Sequence, residues 1–258
     1  MKLVDTHIHL YEYDDIDSLI HEAIKNNVVA IFCVSEDLLT AQKCLEISKK
    51  YYDLVYPLIG IHPWTATYSR CDINEFLEFF DKNADRIIGI GEVGLDRKYI
   101  EETSEEKWSA QKKVFVYMIK LAEKYKLPMQ VHSRRAADKV LEMLSTFNVK
   151  DVQFHWFSDN EKILNRVVER GYYVSFTPSV TYSKRIMKLA SLVPKDLILT
   201  ETDGPVRFFG KFTGLETKPQ FVREVIIKLS EILKVDPLEL SGQVLENVRR
   251  LYKVNIPL

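Results

Sequence analysis

Eight short apolar runs, each rich in β-branched or aromatic residues, recur along the chain and leave room for a helix between successive runs. They occupy residues 3–8, 28–35, 54–61, 86–93, 128–133, 152–156, 172–177 and 197–202. Segments of helical period lie between them, among them DSLIHEAIKN, SEDLLTAQKCLEISKKY and SAQKKVFVYMIKLAEKY. Strands that alternate with helices pair in parallel through right-handed crossovers. Eight such units within 258 residues fit one closed (β/α)8 TIM barrel, with an open doubly wound sheet as the competing arrangement. No low-complexity linker or short repeat divides the chain, so residues 1–258 are expected to form a single barrel domain, with C-terminal helices at about 218–254. Ser35 and Asp72 are the expected helix N-caps, while Ser104 with Lys107 lacks the acid of a full capping box.

Charge and cysteine content narrow the chemistry. The formal net charge is -1, so no global basic field announces a nucleic-acid partner and any polyanion must be held by a local patch. The three cysteines, Cys33, Cys44 and Cys71, are odd in number and show no paired spacing, which argues against a disulfide framework or a structural zinc site. Cys33 sits in an apolar run and reads as a small buried hydrophobe. The opening MKLVDTHIHL has no signal-peptide pattern, and no apolar run is long enough for a membrane span, so the cytoplasm is the default location.

The histidines carry the strongest functional signal. His7 and His9 end the first expected strand, His62 follows the third, and His132 and His155 end the fifth and sixth. Only His21 falls in a helical pattern, where it reads as a surface residue. Glu92 closes the fourth strand and Asp203 follows the eighth. In barrel enzymes the carboxyl ends of the strands carry the active site. Imidazoles and carboxylates converging there suit divalent cations, which need neutral nitrogen and anionic oxygen donors. In the His7-x-His9 pair both rings point to one side of the strand, about 7 Å apart. The six donors His7, His9, Glu92, His132, His155 and Asp203 exceed the needs of one ordinary catalytic zinc and suit two ions, with a carboxylate able to bridge them. Two ions about 3.5–4 Å apart can activate water and neutralise a leaving oxygen, which points to hydrolysis and favours phosphodiesters. By the same alternation Asp5, Gln130, Gln153 and Glu201 should face inward beneath the donors and orient them through hydrogen bonds.

DTHIHL (5–10), GIHP (60–63), GIGEVGLD (89–96), Gln111 ahead of LPMQVHSRRA (127–136), FHWFSD (154–159) and ETDGP (201–205) occur in one order along the chain. In this ordered set the sequence resembles the TatD family of metal-dependent deoxyribonucleases, within the amidohydrolase-like barrels. The resemblance implies His7, His9, Glu92, His132, His155 and Asp203 as ligands, with Glu92 as the shared carboxylate and Asp203 as the general base. It implies His62 as a substrate contact near the scissile phosphate, a divalent metal such as magnesium as cofactor, and 3′-to-5′ removal of nucleotides from DNA; the imidazole-rich donor set itself also accepts zinc, manganese or cobalt. Two stretches depart from the family pattern: Ser158-Asp159 stands where Ser-Gly is usual, and Thr217-Lys218-Pro219 where Asn-Glu-Pro is usual.

Cations and aromatic residues interleave in the segments after the strands. The cations are Arg97, Lys98, Arg134, Arg135, Lys184, Arg185, Arg207 and Lys211; the rings are Trp64, Tyr99, Trp156, Phe157, Tyr182, Phe208 and Phe209. On a barrel rim such residues can hold phosphates and stack bases, with Arg134 and Arg135 the best candidates for substrate binding. The expected partner is therefore DNA, as single strands or frayed ends, with no membrane and no obligatory protein partner. The alternative is a small-molecule amidohydrolase or lactonase on the same barrel, many of which bridge their metals with a carboxylated lysine; the fourth strand here offers Glu92 and no lysine. A non-catalytic scaffold would be marked by missing ligands, and none of the six is missing.

Overall fold

The structure, a computed structural model, describes residues 1–68, 72–100 and 105–256. Every one of the eight apolar runs forms a strand: β1 (Leu3–Ile8), β2 (Val28–Val34), β3 (Val55–Leu58), β4 (Ile90–Gly94), β5 (Met129–His132), β6 (Val152–Phe154), β7 (Tyr173–Phe176) and β8 (Ile198–Thr200). The helices are α1 (Ile16–Lys25), α2 (Leu38–Lys50), α3 (Pro63–Tyr68), α4 (Ile73–Asn83), α5 (Glu105–Tyr125), α6 (Ala137–Leu144), α7 (Glu161–Glu169), α8 (Lys184–Ala190), α9 (Val222–Leu233) and α10 (Pro237–Tyr252).

All ladders are parallel, in the order β1-β2-β3 and β4-β5-β6-β7-β8. Two seams join them into a ring. At one, Ile59 N donates to Gly89 O at 3.0 Å and Gly91 N to Ile59 O at 3.2 Å. At the other, Asp203 N donates to His7 O at 2.9 Å and His9 N to Gly204 O at 2.8 Å. The sequence therefore builds a (β/α)8 barrel, and the open sheet is set aside.

Helix starts follow local chemistry. Asp15 accepts from Ser18 N at 3.0 Å to begin α1, whose Leu19, Ile20 and Ala23 form its buried face. Asp72 caps α4 as expected, accepting from Asn74 N and Glu75 N. Ser35 is not the cap of α2; that role falls to Asp37, paired reciprocally with Thr40. The Ser35 hydroxyl is used between strands instead, donating to Gly60 O at 3.0 Å and accepting from Gly60 N at 2.9 Å. Ser104 and Cys71 lie outside the described residues.

The main apolar layer lies between barrel and helices and includes Phe76, Phe80, Phe115 and Met118, all fully buried. Cys33 and Cys44 belong to it, with their sulfurs 3.1 Å apart. A second cluster fills the barrel interior with Val4, Phe32, Leu58 and Leu199 against Leu251 and Tyr252 of α10. Helix α10 lies across the amino ends of the strands. Its Ser241 hydroxyl donates to Lys2 O, and Asn247 Nδ2 donates to Lys195 O and Ile198 O. Among the described residues no helix is long and apolar enough to cross a membrane.

Candidate active site

Two strands gain an extra residue where they approach the site. Asp5 and Ile8 of β1 pair with Ile31 and Cys33 of β2, so three steps on one strand match two on the other. Ile90 and Val93 of β4 pair with Met129 and Val131 of β5 in the same ratio. Such bulges re-aim side chains. They place His7 on one strand and Glu92 on the other within reach of a common point. Two further backbone features complete the rim. Gly94 has φ +136°, and a Cβ there would collide with the carbonyl of His132. Asp203 takes a left-handed φ of 52° as it leaves β8, which turns its carboxylate back over β1.

Around that point the carboxylate of Glu92 divides its two oxygens. Oε2 lies 3.4 Å from His7 Nε2 and 3.6 Å from His9 Nε2, and Asp203 Oδ1 lies 3.2 Å and 3.5 Å from the same two nitrogens. Oε1 faces the other way, 2.7 Å from His132 Nδ1 and 2.8 Å from His155 Nε2. All six sequence-derived donors thus converge, in two groups sharing one carboxylate. All but His132, which is partly buried, are buried.

Hydrogen bonds behind the rings decide which nitrogen faces the site. Gln130 Nε2 donates to Thr6 O at 2.6 Å and Tyr252 Oη at 3.0 Å, which turns Gln130 Oε1 toward His7 Nδ1. An amide oxygen only accepts, so His7 carries its proton on Nδ1 and presents Nε2 as a lone pair. Tyr11 donates to Glu36 Oε2 at 3.1 Å and so accepts from His9 Nδ1 at 2.8 Å. Asp96 Oδ2 accepts from His132 Nε2 at 2.7 Å, leaving Nδ1 for the site. His155 Nδ1 is buried without a hydrogen bond, with Glu201 Oε1 at 3.7 Å. His62 is the reverse case: Trp64 N donates to its Nδ1 at 3.2 Å, so its proton sits on Nε2, 3.3 Å from Glu92 Oε1. In their neutral forms His7, His9 and His132 thus turn a lone pair to the site, while His62 turns a proton there.

The charges respond accordingly. Burial opposes ionisation of Glu92, but the surrounding His62, His155 and His7 outweigh it and hold its carboxyl well below the usual range. Burial likewise opposes ionisation of Asp203, and the contacts with His7 and His9 hold it low. Burial disfavours the imidazolium forms too, yet the carboxylates raise His7, His9 and His132, and bring His155 to about 9. His62 alone is lowered, because there burial wins. Buried carboxylates that stay ionised only because protonated imidazoles balance them have the donor chemistry of a cation site. His7, His9 and Asp203 each bring a donor atom within 4.8 Å of the others, and so do His62, Glu92 and His132.

The layer below is polar, with one departure from simple alternation. Gln130, Gln153 and Glu201 are fully buried under the rings. Glu201 accepts from Trp156 N at 2.6 Å and from the Ser175 hydroxyl at 2.6 Å. Gln153 accepts from Tyr252 Oη at 2.6 Å. Asp5 does not support a ring; it accepts from Thr202 N at 2.9 Å and from His7 N at 3.3 Å at the β8 seam. The β1 bulge shifts the alternation, and Thr6 takes the inner place beside Gln153 at 2.9 Å.

A cavity of about 610 Å³ opens over the cluster, lined by His62 and Arg134 among others. Arg135 does not line it; with Arg134 it borders a neighbouring groove. Several rim residues of the sequence analysis lie elsewhere. Phe157 and Phe208 are buried, Arg97 stacks on Trp108 at 4.5 Å, and Lys211 pairs with Glu224. Asp96, Tyr11 and Glu36 are site residues that alternation of strand residues did not single out. Asp96 lies inside GIGEVGLD, where its motif membership was the available signal. Its loop is fixed by Gln111, which accepts from Asp96 N at 2.8 Å and donates to Asp96 O at 3.1 Å. Of the two departures, Thr217 is buried and accepts from Tyr13 Oη at 2.6 Å through its carbonyl, while Asp159 Oδ1 folds back onto Asn160 N at 2.8 Å.

The chain is similar to known proteins over nearly its whole length. A family model described as TatD related DNase matches residues 4–253. The human deoxyribonuclease TATDN3 is 32% identical over 213 residues, covering 79% of this chain and 78% of that protein. The uncharacterized metal-dependent hydrolase YabD of Bacillus subtilis is 28% identical over 260 residues, covering 98% of this chain and 100% of its own length. The crystal structure of YJJV, a TatD homolog from Escherichia coli, superposes with a TM-score of 0.87 at 23% identity over 98% of both chains, which establishes the same fold. With the family model spanning nearly the whole chain, this protein belongs to the TatD related DNase family of hydrolases.

Proposed function

We propose that this chain is a two-metal deoxyribonuclease, one barrel domain over residues 1–258, that shortens DNA from its 3′ ends. The observation that carries the reading is the divided carboxylate of Glu92, with one oxygen toward His7 and His9 and the other toward His132 and His155. On this reading His7, His9, Asp203 and Glu92 would hold one divalent ion, and Glu92, His132 and His155 would hold a second. Such ions, magnesium or manganese in our reading, supply Lewis acidity toward a phosphate oxygen and offset charge on the leaving oxygen. Asp203 takes the proton of the attacking water at a carboxylate oxygen. Its carboxylate is held ionised by the contacts with His7 and His9, so it stands free of a proton before the attack. His62 offers its Nε2 proton to a phosphate oxygen, and Arg134, held by Asp96 Oδ2 at 2.7 Å, faces the same cavity with a fixed positive charge. The substrate in this reading is single-stranded DNA or a frayed end, because the reacting phosphate must reach donors that lie buried at the base of the cavity.

The test is incubation of 5′-labelled single-stranded DNA with the purified protein and magnesium or manganese, beside chelated protein and Asp203→Asn. A ladder shortening from the 3′ end, lost in both controls, is the expected result. Intact DNA with every metal would sink the nuclease reading and turn attention to small esters, amides and lactones.

A further inference from the structure

The rim around the cluster carries opposite charges on opposite sides. On the side of the segments after β1 and β2, Glu12 and Glu36 line the cavity, and their carboxylate oxygens lie within 4.8 Å of each other and of a His9 nitrogen. Glu36 is held there by Tyr11 at 3.1 Å. On the side of the segments after β4 to β7, a groove of about 580 Å³ continues from the cavity, with Arg134 and Ser158 bordering both. Lys98, Arg134, Arg135 and Arg185 line this groove against only Asp138 and Asp159. Asp159 is turned onto Asn160 N and Nδ2, at 2.8 Å and 2.9 Å, and Arg185 is anchored by the carbonyl oxygens of Ser158 and Asp159. The guanidinium is thus fixed at the groove by the same loop that departs from the family's usual Ser-Gly.

A single strand carries one phosphate per nucleotide, so a strand crossing this rim cannot place phosphates equally well on both sides. We propose that the divided rim discriminates between strand ends by their charge. The cationic groove seats the phosphates of the strand that stays bound, and the Glu12–Glu36 wall accepts a terminal nucleoside but rejects a further phosphate beyond the scissile one. The site therefore prefers a 3′-hydroxyl end to a 3′-phosphate end, and needs nucleotides on the groove side for efficient capture. This inference rests on the deoxyribonuclease reading above.

The experiment compares manganese-loaded protein on 5′-labelled oligonucleotides from dinucleotide to decamer, each ending in a 3′-hydroxyl, and on a decamer ending in a 3′-phosphate. We expect kcat/KM to rise about ten-fold along the length series, from added phosphate contacts, and to fall about ten-fold with the 3′-phosphate. The charge reversals Lys98→Glu and Arg185→Glu should flatten the length dependence, and Glu12→Lys should narrow the penalty on the phosphate end, with thermal melts confirming that each variant is folded. Anisotropy of a fluorescent decamer in calcium gives a second readout: each lost phosphate contact should make the slope of log affinity against log salt about 0.7 less negative. An enzyme that digests DNA with rates independent of length and end chemistry, or whose length dependence survives both reversals, overturns the proposal and leaves the nuclease standing. Failure to cut any of the oligonucleotides removes the nuclease reading and this inference with it.

Discussion

The interior of the barrel changes chemistry along its axis. At the amino ends of the strands it is dry: Phe32 packs on Tyr252 at 4.4 Å and Tyr56 at 5.1 Å, and α10 seals the opening. At the carboxyl ends buried polar groups replace it, from Gln130, Gln153 and Glu201 up to six metal-type donors. Tyr252 belongs to both regions, with its ring in the apolar plug and its hydroxyl between Gln130 and Gln153. The difference teaches how the cost of the site is contained. Buried charges and amides are tolerated where each finds a partner, and the apolar end supplies burial that the polar end gives up. Stability and chemistry are therefore assigned to opposite ends of the same strands.

Substitutions can test that division. The largest effect on activity should come from Asp203→Asn. Removing the proton acceptor should lower kcat on DNA about 10³-fold with the melting temperature preserved; retention of near wild-type rate would place the chemistry elsewhere. At the other end Phe32→Ala should cost about 3–5 kcal/mol of stability in denaturant titrations, with kcat of the folded enzyme intact. If that substitution instead abolished turnover at full stability, the two ends would be coupled and the comparison would break.

Smaller effects sharpen it. Asp96→Asn removes the charge that orients His132 and Arg134, so metal affinity, read by calorimetric titration, should weaken about 10–100-fold. Unchanged affinity would show that the His132 ring needs no orienting partner. The pH response follows from the direction of the imidazole shifts. In the metal-free protein His155 titrates near 9, above its ordinary 6.5, because the carboxylates outweigh burial. Its imidazolium therefore adds stability that is complete below 6.5 and fades as pH rises toward about 9. Metal needs those same lone pairs, so its affinity should rise through that window while binding releases protons, a release visible as buffer-dependent binding heat. Heat independent of buffer would contradict the protonated cluster.

Much of this was legible in residues. The eight strands, the histidines at their carboxyl ends, Glu92 and Asp203 follow from period and placement, because apolar alternation and motif order are local properties of a chain. The inward turn of Gln130, Gln153 and Glu201 followed from the same two-residue period. The Asp5 expectation did not survive, since one extra residue in β1 shifts the alternation and no local signal marks a bulge. Ser35 reads as a helix cap by type, but the close approach of Gly60 captures its hydroxyl.

The sequence by itself determined the eight alternating strands and the identity of the donors at their carboxyl ends, because strand period and residue type are local; closure of the strands into a barrel was decided by the two seams of the structure. Only the tertiary structure decided which oxygen of Glu92 faces which ring, which nitrogen of each imidazole is free, and that acids and cations gather on opposite sides of the rim. Those properties depend on pairs such as His132 with Asp96, Tyr11 with Glu36 and Arg185 with the Ser158–Asp159 carbonyls. Their partners stand tens of residues apart, and only closure of the barrel brings them within hydrogen-bonding distance.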